Sequence, residues 1–431
     1  MSVDTQALCA DLITTLKTRL ESVAFMECHR QSPTAFTRKR ALPFVLLVLF
    51  LVNLVKRALQ DELDAYFNLE RHAVVAERVV TKSAFCQARQ KLRASAFVEL
   101  NNVQTQYFYQ HFPFQTWHGW RLLGLDGSTA ELPATPDIIA HFGYWGDQPL
   151  ARVSQLFDVL NQLTLDAWIG PKTRDERECA AHHLTHVQPG DLLLLDRGYP
   201  AFWLFVLLLS TGAHFCARMP RGLWNEVDRF VASGQREQRV TLTPGYQAQQ
   251  ECQARQLPTT PLQVRLLRIG LDSGESEVLA TSLLDSIAYP YALFKELYHQ
   301  RWPVEEDYKG LKLRAEVENW SGKSTLAVQQ DFYAKLFTTN LTVILTQPAQ
   351  TQVTQQSQTK RYAYRVNFAY ALSLMKDTIV QLLCQSSISD LLAALWQAMR
   401  HTTEPIRPGR KAPRRKGPRR KRFSMCYKSA R

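Results

Sequence analysis

The sequence predicts an α/β protein with helical flanks. Three observations point there. Short apolar strands alternate with helical segments in the middle of the chain. Apolar residues recur at three- and four-residue spacing on both sides of it. A terminal run, residues 407–431, is basic and broken by proline, so it packs no core of its own.

Residues 1–112 read as helical. Leu8, Leu12, Leu16 and Leu20 share one face, and glycine is absent from the whole stretch. The apolar run at residues 42–55 is 14 residues long and contains Pro43 and Asn53. That is short of the ~18–20 residues a bilayer span needs. A buried helix is expected, its amphipathic pattern continuing through Leu59, Leu63 and Phe67. The flanking Arg38, Lys39, Arg40, Lys56 and Arg57 keep a membrane anchor as an alternative. The mixed polar start, with Asp4 and Asp11, argues against a secretory signal, and a cytoplasmic protein is expected. Thr81-Lys82-Ser83 opens a further helix, SAFCQARQKLRASAFVEL. Its cationic residues Lys82, Arg89, Lys91 and Arg93 form either a solvated face or a DNA-backbone contact.

Near Trp120 the pattern changes. RLLGLDGSTAELP reads as a short apolar strand ending in Asp126-Gly-Ser-Thr, and VSQLFDVLNQLTLDAWIG as paired strands. DERECAAHHLTHV reads as a helix, and Pro189-Gly190-Asp191 turns into LLLLD, a buried strand ending at Asp196. Residues 213–288 hold four strand-like segments separated by Pro, Gly and polar residues, an inserted, mostly-β subdomain. Helical periodicity returns from Tyr291 and again over residues 367–406. The expected organisation is therefore 1–112 helical, 113–212 core, 213–288 β-rich insertion, 289–366 core, 367–406 helical and 407–431 basic tail.

The chain carries 52 Lys/Arg against 39 Asp/Glu, a net +13, which calls for an anionic partner. Twelve of those basic residues lie in 407–431, where there is no acid; without them 40 basic side chains face 39 acidic ones. The excess is thus in the tail. The eight cysteines are scattered with no CxxC pair, as in a reduced cytosolic protein. His182, His183 and His186 lie close together but have no cysteine partners at zinc spacing.

Asp126 and Asp196 each follow an apolar run, where an open α/β sheet places its sites, though Asp-Gly is also a common turn pair. The third acidic segment is Tyr298-His-Gln-Arg301-Trp-Pro-Val-Glu305-Glu-Asp-Tyr-Lys309-Gly-Leu-Lys312. At about 100° per residue Glu305, Lys309 and Lys312 share one helix face, while Glu306 lies about 100° away. Pro303 is expected to kink or break the helix, leaving Tyr298 and Arg301 on a preceding turn.

Together these motifs resemble those of bacterial insertion-sequence DDE transposases, specifically the insertion-sequence-four type, whose last motif is Tyr-x2-Arg-x3-Glu-x6-Lys. Tyr298, Arg301, Glu305 and Lys312 meet that spacing without a gap; Asp126-Gly-Ser-Thr and Asp196-Arg-Gly-Tyr are similar to the two earlier acidic motifs. Upstream LPFVLLVLFLVNLVKRALQDEL and TKSAFCQARQKL, and downstream YRVNFAYAL, extend the likeness over most of the chain. The resemblance implies an RNase H-like core in which Asp126, Asp196 and Glu305 are catalytic and hold two Mg²⁺ ions, with Mn²⁺ as a substitute. It implies a DNA transposase that cuts the element's terminal inverted repeats and joins the 3′-OH to target DNA, as a dimer on DNA in the synaptic complex. Arg301, Lys309 and Lys312 are then phosphate contacts, Tyr298 contacts a phosphate or packs beside it, and Trp302 stacks on an unpaired base. Arg89, Lys91 and Arg93, and Arg414, Arg415 and Lys416 in the tail, are the further expected DNA contacts. Other readings are a metal-dependent nuclease of the same fold and a non-catalytic DNA-binding protein.

Overall fold

The structure is a computed structural model and describes residues 4–71, 78–271, 274–407 and 428, with the backbone alone at residues 69–71, 302, 305, 306 and 309. In chain order it contains α1 (Thr5–Glu21), α2 (Val23–His29), α3 (Phe44–Val52), α4 (Leu59–Arg71), α5 (Lys82–Arg89), α6 (Ser95–His111), β1 (Arg121–Glu131), α7 (Pro136–Phe142), β2 (Tyr144–Trp145), β3 (Gln148–Asp158), β4 (Leu163–Pro171), α8 (Glu176–His183), β5 (Asp191–Leu195), α9 (Phe202–Ser210) and β6 (His214–Arg218). There follow α10 (Asn225–Ala232), β7 (Glu237–Leu242), α11 (Tyr246–Ala254), β8 (Leu262–Gly270), β9 (Ser276–Thr281), α12 (Leu293–His299), α13 (Trp302–Leu313), α14 (Thr325–Ser357), β10 (Tyr364–Val366), α15 (Phe368–Cys384), α16 (Ser389–His401) and β11 (Thr403–Pro405).

The chain divides into two compact units. One comprises residues 1–113, 130–150 and 309–431, the other residues 114–129 and 151–308. The first is mostly helical. Asp4 caps α1 by accepting from the amides of Gln6 and Ala7, and α1 buries Leu12, Leu16 and Leu20. The apolar run 42–55 supplies α3, buried from Leu47 to Val52. Among the described residues no helix is long and apolar enough to cross a membrane. Thr81 caps α5 as its sequence suggests, accepting from the Ala84 amide. The expected single helix through residue 100 is, however, two. The chain leaves helical geometry after Arg89, and Leu92 makes an antiparallel bridge to Arg30 before α6 begins. In α14 a buried polar row, including Gln330, Asp331, Lys335 and Asn340, faces inward.

The second unit is built on the central sheet, ordered β3-β1-β5-β6-β9-β8-β7 with β4 on the outer side of β3. The β3–β4 pair is antiparallel, β1, β5 and β6 are mutually parallel, and β9, β8 and β7 continue antiparallel from β6. The four strand-like segments of 213–288 are thus β6–β9, accompanied by α10 and α11, and they extend the same sheet. Every residue of β5 is buried, as its unbroken leucine run requires of a strand covered on both faces. None of the seven described cysteines is in a disulfide.

Candidate active site

Parallel pairing brings the first two acidic motifs together. The β1–β5 register matches Arg121 with Asp191, Leu122 with Leu192, Leu123 with Leu193 and Gly124 with Leu194. Asp126 lies two residues beyond the last matched pair on β1 and Asp196 directly follows β5, so both acidic motifs lie at the same end of this strand pair. The other end of the register is fixed by Arg121, whose guanidinium donates to both Asp191 oxygens at 2.7 Å. One expectation is corrected here. Strand β1 does not end at Asp126 but runs on to Glu131, because β3 lies alongside it: the Val159 amide donates to the Leu122 carbonyl and the Leu132 amide to the Pro149 carbonyl.

The third motif lies on two helices. Tyr298 is in the last turn of α12, Arg301 in the connection, and Pro303 in the first turn of α13, where a missing amide costs nothing. Two neighbours of Glu305 tie α13 to β1. Val304 is wholly buried against Gly124: a Cβ at residue 124 would stand 2.2 Å from Val304 Cγ2. The Tyr308 hydroxyl donates to the Asp126 carbonyl at 2.8 Å. The backbone of Glu305 is therefore held between two anchors, one of them at Asp126 itself. Alongside, the buried Gln155 donates to Asp307 at 3.1 Å.

The surroundings are buried and strongly charged. The Tyr298 hydroxyl lies 3.5 Å from both the Asp196 Oδ1 and the Leu195 carbonyl. Burial, followed by the Asp196 charge, pushes this phenol well above its ordinary range. Tyr308 and Tyr199 are raised too, first by burial and then by Asp126. Arg301 is only 6% exposed. It lies within electrostatic range of Glu277, whose carboxyl is raised by burial and drawn back down by Arg218, its partner at 3.1 Å. Sequence reasoning passed over Tyr308, Gln155 and Glu277. Tyr308 had a signal, one helical turn after Glu305; Gln155 and Glu277 had none, since only the folded sheet brings them near.

Lys312 pairs with Glu318 at 3.6 Å. The side chains of Trp302, Glu305 and Lys309, and all of Arg414, Arg415 and Lys416, lie outside the described residues. Arg89 is a correction. It is 4% exposed, and its guanidinium donates to Asp331 and Gln330 at 2.9 Å, to the Ser321 hydroxyl and to the Ala327 carbonyl, so it is held in the interior of the helical unit and not on a surface that DNA could reach. Lys91 and Arg93 sit in the turn after α5, not on a helix face, with Arg93 exposed. His183 is buried between Asp166, at 2.7 Å, and Ser154, at 3.0 Å.

The first two acidic motifs thus lie at one end of the parallel β1–β5 pair, and α13, which carries the third, is anchored to β1. The sequence model of the transposase DDE domain matches residues 122–341, which span all three motifs. The chain is 25% identical over 338 residues to the transposase InsG of insertion sequence element IS4 from Escherichia coli (strain K12), covering 76% of this chain and 75% of that protein. A solved structure, the piggyBac transposase synaptic complex with hairpin DNA, aligns with 95% of this chain and 87% of its own at 9% identity and a TM-score of 0.46. The chain belongs to the DDE transposase family and is a DNA transposase of the insertion-sequence-four type.

Proposed function

We propose that this transposase cuts the terminal inverted repeats of its element and joins the freed 3′-OH to target DNA at one site made by Asp126, Asp196 and Glu305. The observation that supports this is the parallel β1–β5 pairing, past whose last matched pair, Gly124 and Leu194, Asp126 and Asp196 each follow two residues on. The strand order β4-β3-β1-β5-β6, an antiparallel meander followed by two parallel strands, supports an RNase H-like core.

The donor set fits Mg²⁺ or Mn²⁺. Carboxylate oxygens are hard ligands, and the buried Tyr199 hydroxyl beside them has no hydrogen-bond partner among the described residues, which suits a hydrated cation. When bound, a pair of such ions supplies the clamp on the attacking and leaving oxygens of an in-line displacement. The chain's own groups do the rest. Tyr308 fixes the Asp126 backbone, and Tyr298 restrains the Asp196 carboxylate. Arg301 and Lys312 are the phosphate contacts, Arg as a planar fork and Lys as a point charge. No side chain acts as nucleophile: water attacks first, the released 3′-OH second. Residues 1–112 bind the element's ends, and a dimer on DNA brings two ends together, on the nucleoid in the cytoplasm.

Cleavage of a labelled end duplex in Mg²⁺ tests the assignment. Asp126→Ala, Asp196→Ala and Glu305→Ala should each lose cleavage and keep end binding, while Glu306→Ala keeps most activity. Near wild-type cleavage by any one of the first three removes that residue from the site.

A further inference from the structure

One of the contacts that hold α13 is costly to keep. Gln155 of β3 is wholly buried. Its Nε2 donates to Asp307 Oδ2 of α13 at 3.1 Å. Its Oε1 has no hydrogen-bond partner among the described residues. A buried acceptor left unmatched destabilises the fold, and an apolar side chain of similar shape would avoid that cost. Gln155 also lies beside the first acidic motif. The Val159 amide donates to the Leu122 carbonyl and the Leu132 amide to the Pro149 carbonyl. One antiparallel register satisfies both bonds, and in it Asp126 of β1 and Gln155 of β3 are partners, their side chains on the same face of the sheet.

Three residues of α13 meet that face. Val304 is buried against Gly124. The Tyr308 hydroxyl donates to the Asp126 carbonyl at 2.8 Å and lies 3.5 Å from the Val153 carbonyl. Asp307 takes the Gln155 bond. The helix therefore runs along β1, from Gly124 to Asp126. At about 100° per residue, with Val304 at zero, Tyr308 falls near +40°, Asp307 near −60° and position 305 near +100°. Tyr308 ties one flank of the helix to β1, and Asp307 ties the other to β3. Together they set how far α13 is rolled about its axis. Position 305 is on the Tyr308 flank, and β5 lies beyond β1 on that side.

We infer that Gln155 is a positioning residue for cleavage: its bond to Asp307 holds the roll of α13 that presents Glu305 to Asp126 and Asp196. This rests on the three-carboxylate reading of the site. It accounts for a glutamine at a wholly buried position where leucine would leave no acceptor unmatched.

The test is single-turnover cleavage of a labelled end duplex in Mg²⁺ by the full-length chain, with end binding and urea unfolding measured on the same preparations. Gln155→Leu removes the bond and the unmatched acceptor together. It should unfold at a urea concentration equal to or above that of wild type and bind ends as wild type does. It should nevertheless cleave on the order of 10²-fold more slowly, as a misplacement of about 1 Å does. Gln155→Glu sets a second carboxylate against Asp307, and one of the two must take a proton. Its cleavage relative to wild type should therefore fall as pH rises. Asp307→Asn keeps an acceptor for Gln155 and can also donate. The double variant Gln155→Glu/Asp307→Asn should thus cleave as Asp307→Asn alone does, without the added pH dependence. Wild-type cleavage by Gln155→Leu overturns the inference and leaves the three-residue site standing. A loss of cleavage with a parallel loss of stability overturns it too, since Gln155 would then be a packing residue only. So does a double variant no better than Gln155→Glu. If Glu305→Ala cleaves like wild type, the three-carboxylate reading itself fails and Gln155 has no group to position.

Discussion

A methyl group at residue 124 has nowhere to go. It would meet Val304 Cγ2 at 2.2 Å and Val159 Cγ1 at 3.2 Å. Gly124→Ala should therefore push α13 off β1, costing about 1–3 kcal/mol as overpacking does, and cleavage should fall because Glu305 moves with Val304. Gly124→Ala/Val304→Ala frees the space and should recover much of both in urea unfolding and end-cleavage assays; if the double variant is no better than the single, the contact is not what constrains α13. Arg89 gives the opposite kind of prediction. Its pair with Asp331 is buried on both sides. Removing one partner of such a pair costs about 3–5 kcal/mol. Arg89→Met should thus melt far lower, yet leave the salt dependence of DNA binding unchanged. A flatter salt slope in the folded variant would return Arg89 to the DNA contacts.

Elements show what the sequence could and could not announce. The last motif was readable because its spacing is local, and Pro303 marked the break between α12 and α13. Its place in the first turn of α13, rather than inside a helix, follows from α12 ending at His299. The extension of β1 was not readable: Gly127-Ser128-Thr129 are turn formers, and only the distant strand β3 keeps them extended. The burial of Arg89 was hidden for the same reason, since its partner is 242 residues away. Helix α14 carries a related buried cation. Lys335 Nζ donates to the carbonyls of Glu316 and Asn319 at 2.8 Å, and burial pulls its pKa down from 10.5 to about 7. Between those values the unfolded chain holds a proton that the folded chain lacks. Stability from this group therefore rises with pH from about 7 to 10.5, by up to ~1.4 kcal/mol per unit, and below pH 7 the full penalty of a buried charge remains. Lys335→Met should flatten the pH dependence of the urea midpoint over that window. Parallel profiles for the two proteins would show that Lys335 titrates normally.

At the scale of the whole molecule, charge and fold are separated. Residues 1–113 share a compact unit with residues 309–431, so truncation at Phe114 would strip Asp331 of Arg89, and end binding by 1–112 is better tested through exposed residues such as Lys82 and Arg93. The body is close to neutral, and the twelve cations of residues 407–431 hold nearly all the excess. Such a segment should add affinity by neutralising phosphates, with log K falling about 0.9 per log salt for each phosphate contacted on duplex DNA. If half of its charges engage, deletion of 407–431 should flatten the salt slope by several units. Discrimination between end and random duplexes should hold or improve, because phosphate contacts position a protein and base contacts specify the site. Binding to both duplexes across a salt series, with and without the tail, decides this. An unchanged slope rules the tail out as a phosphate-binding arm, and a loss confined to end DNA would mean that it reads sequence.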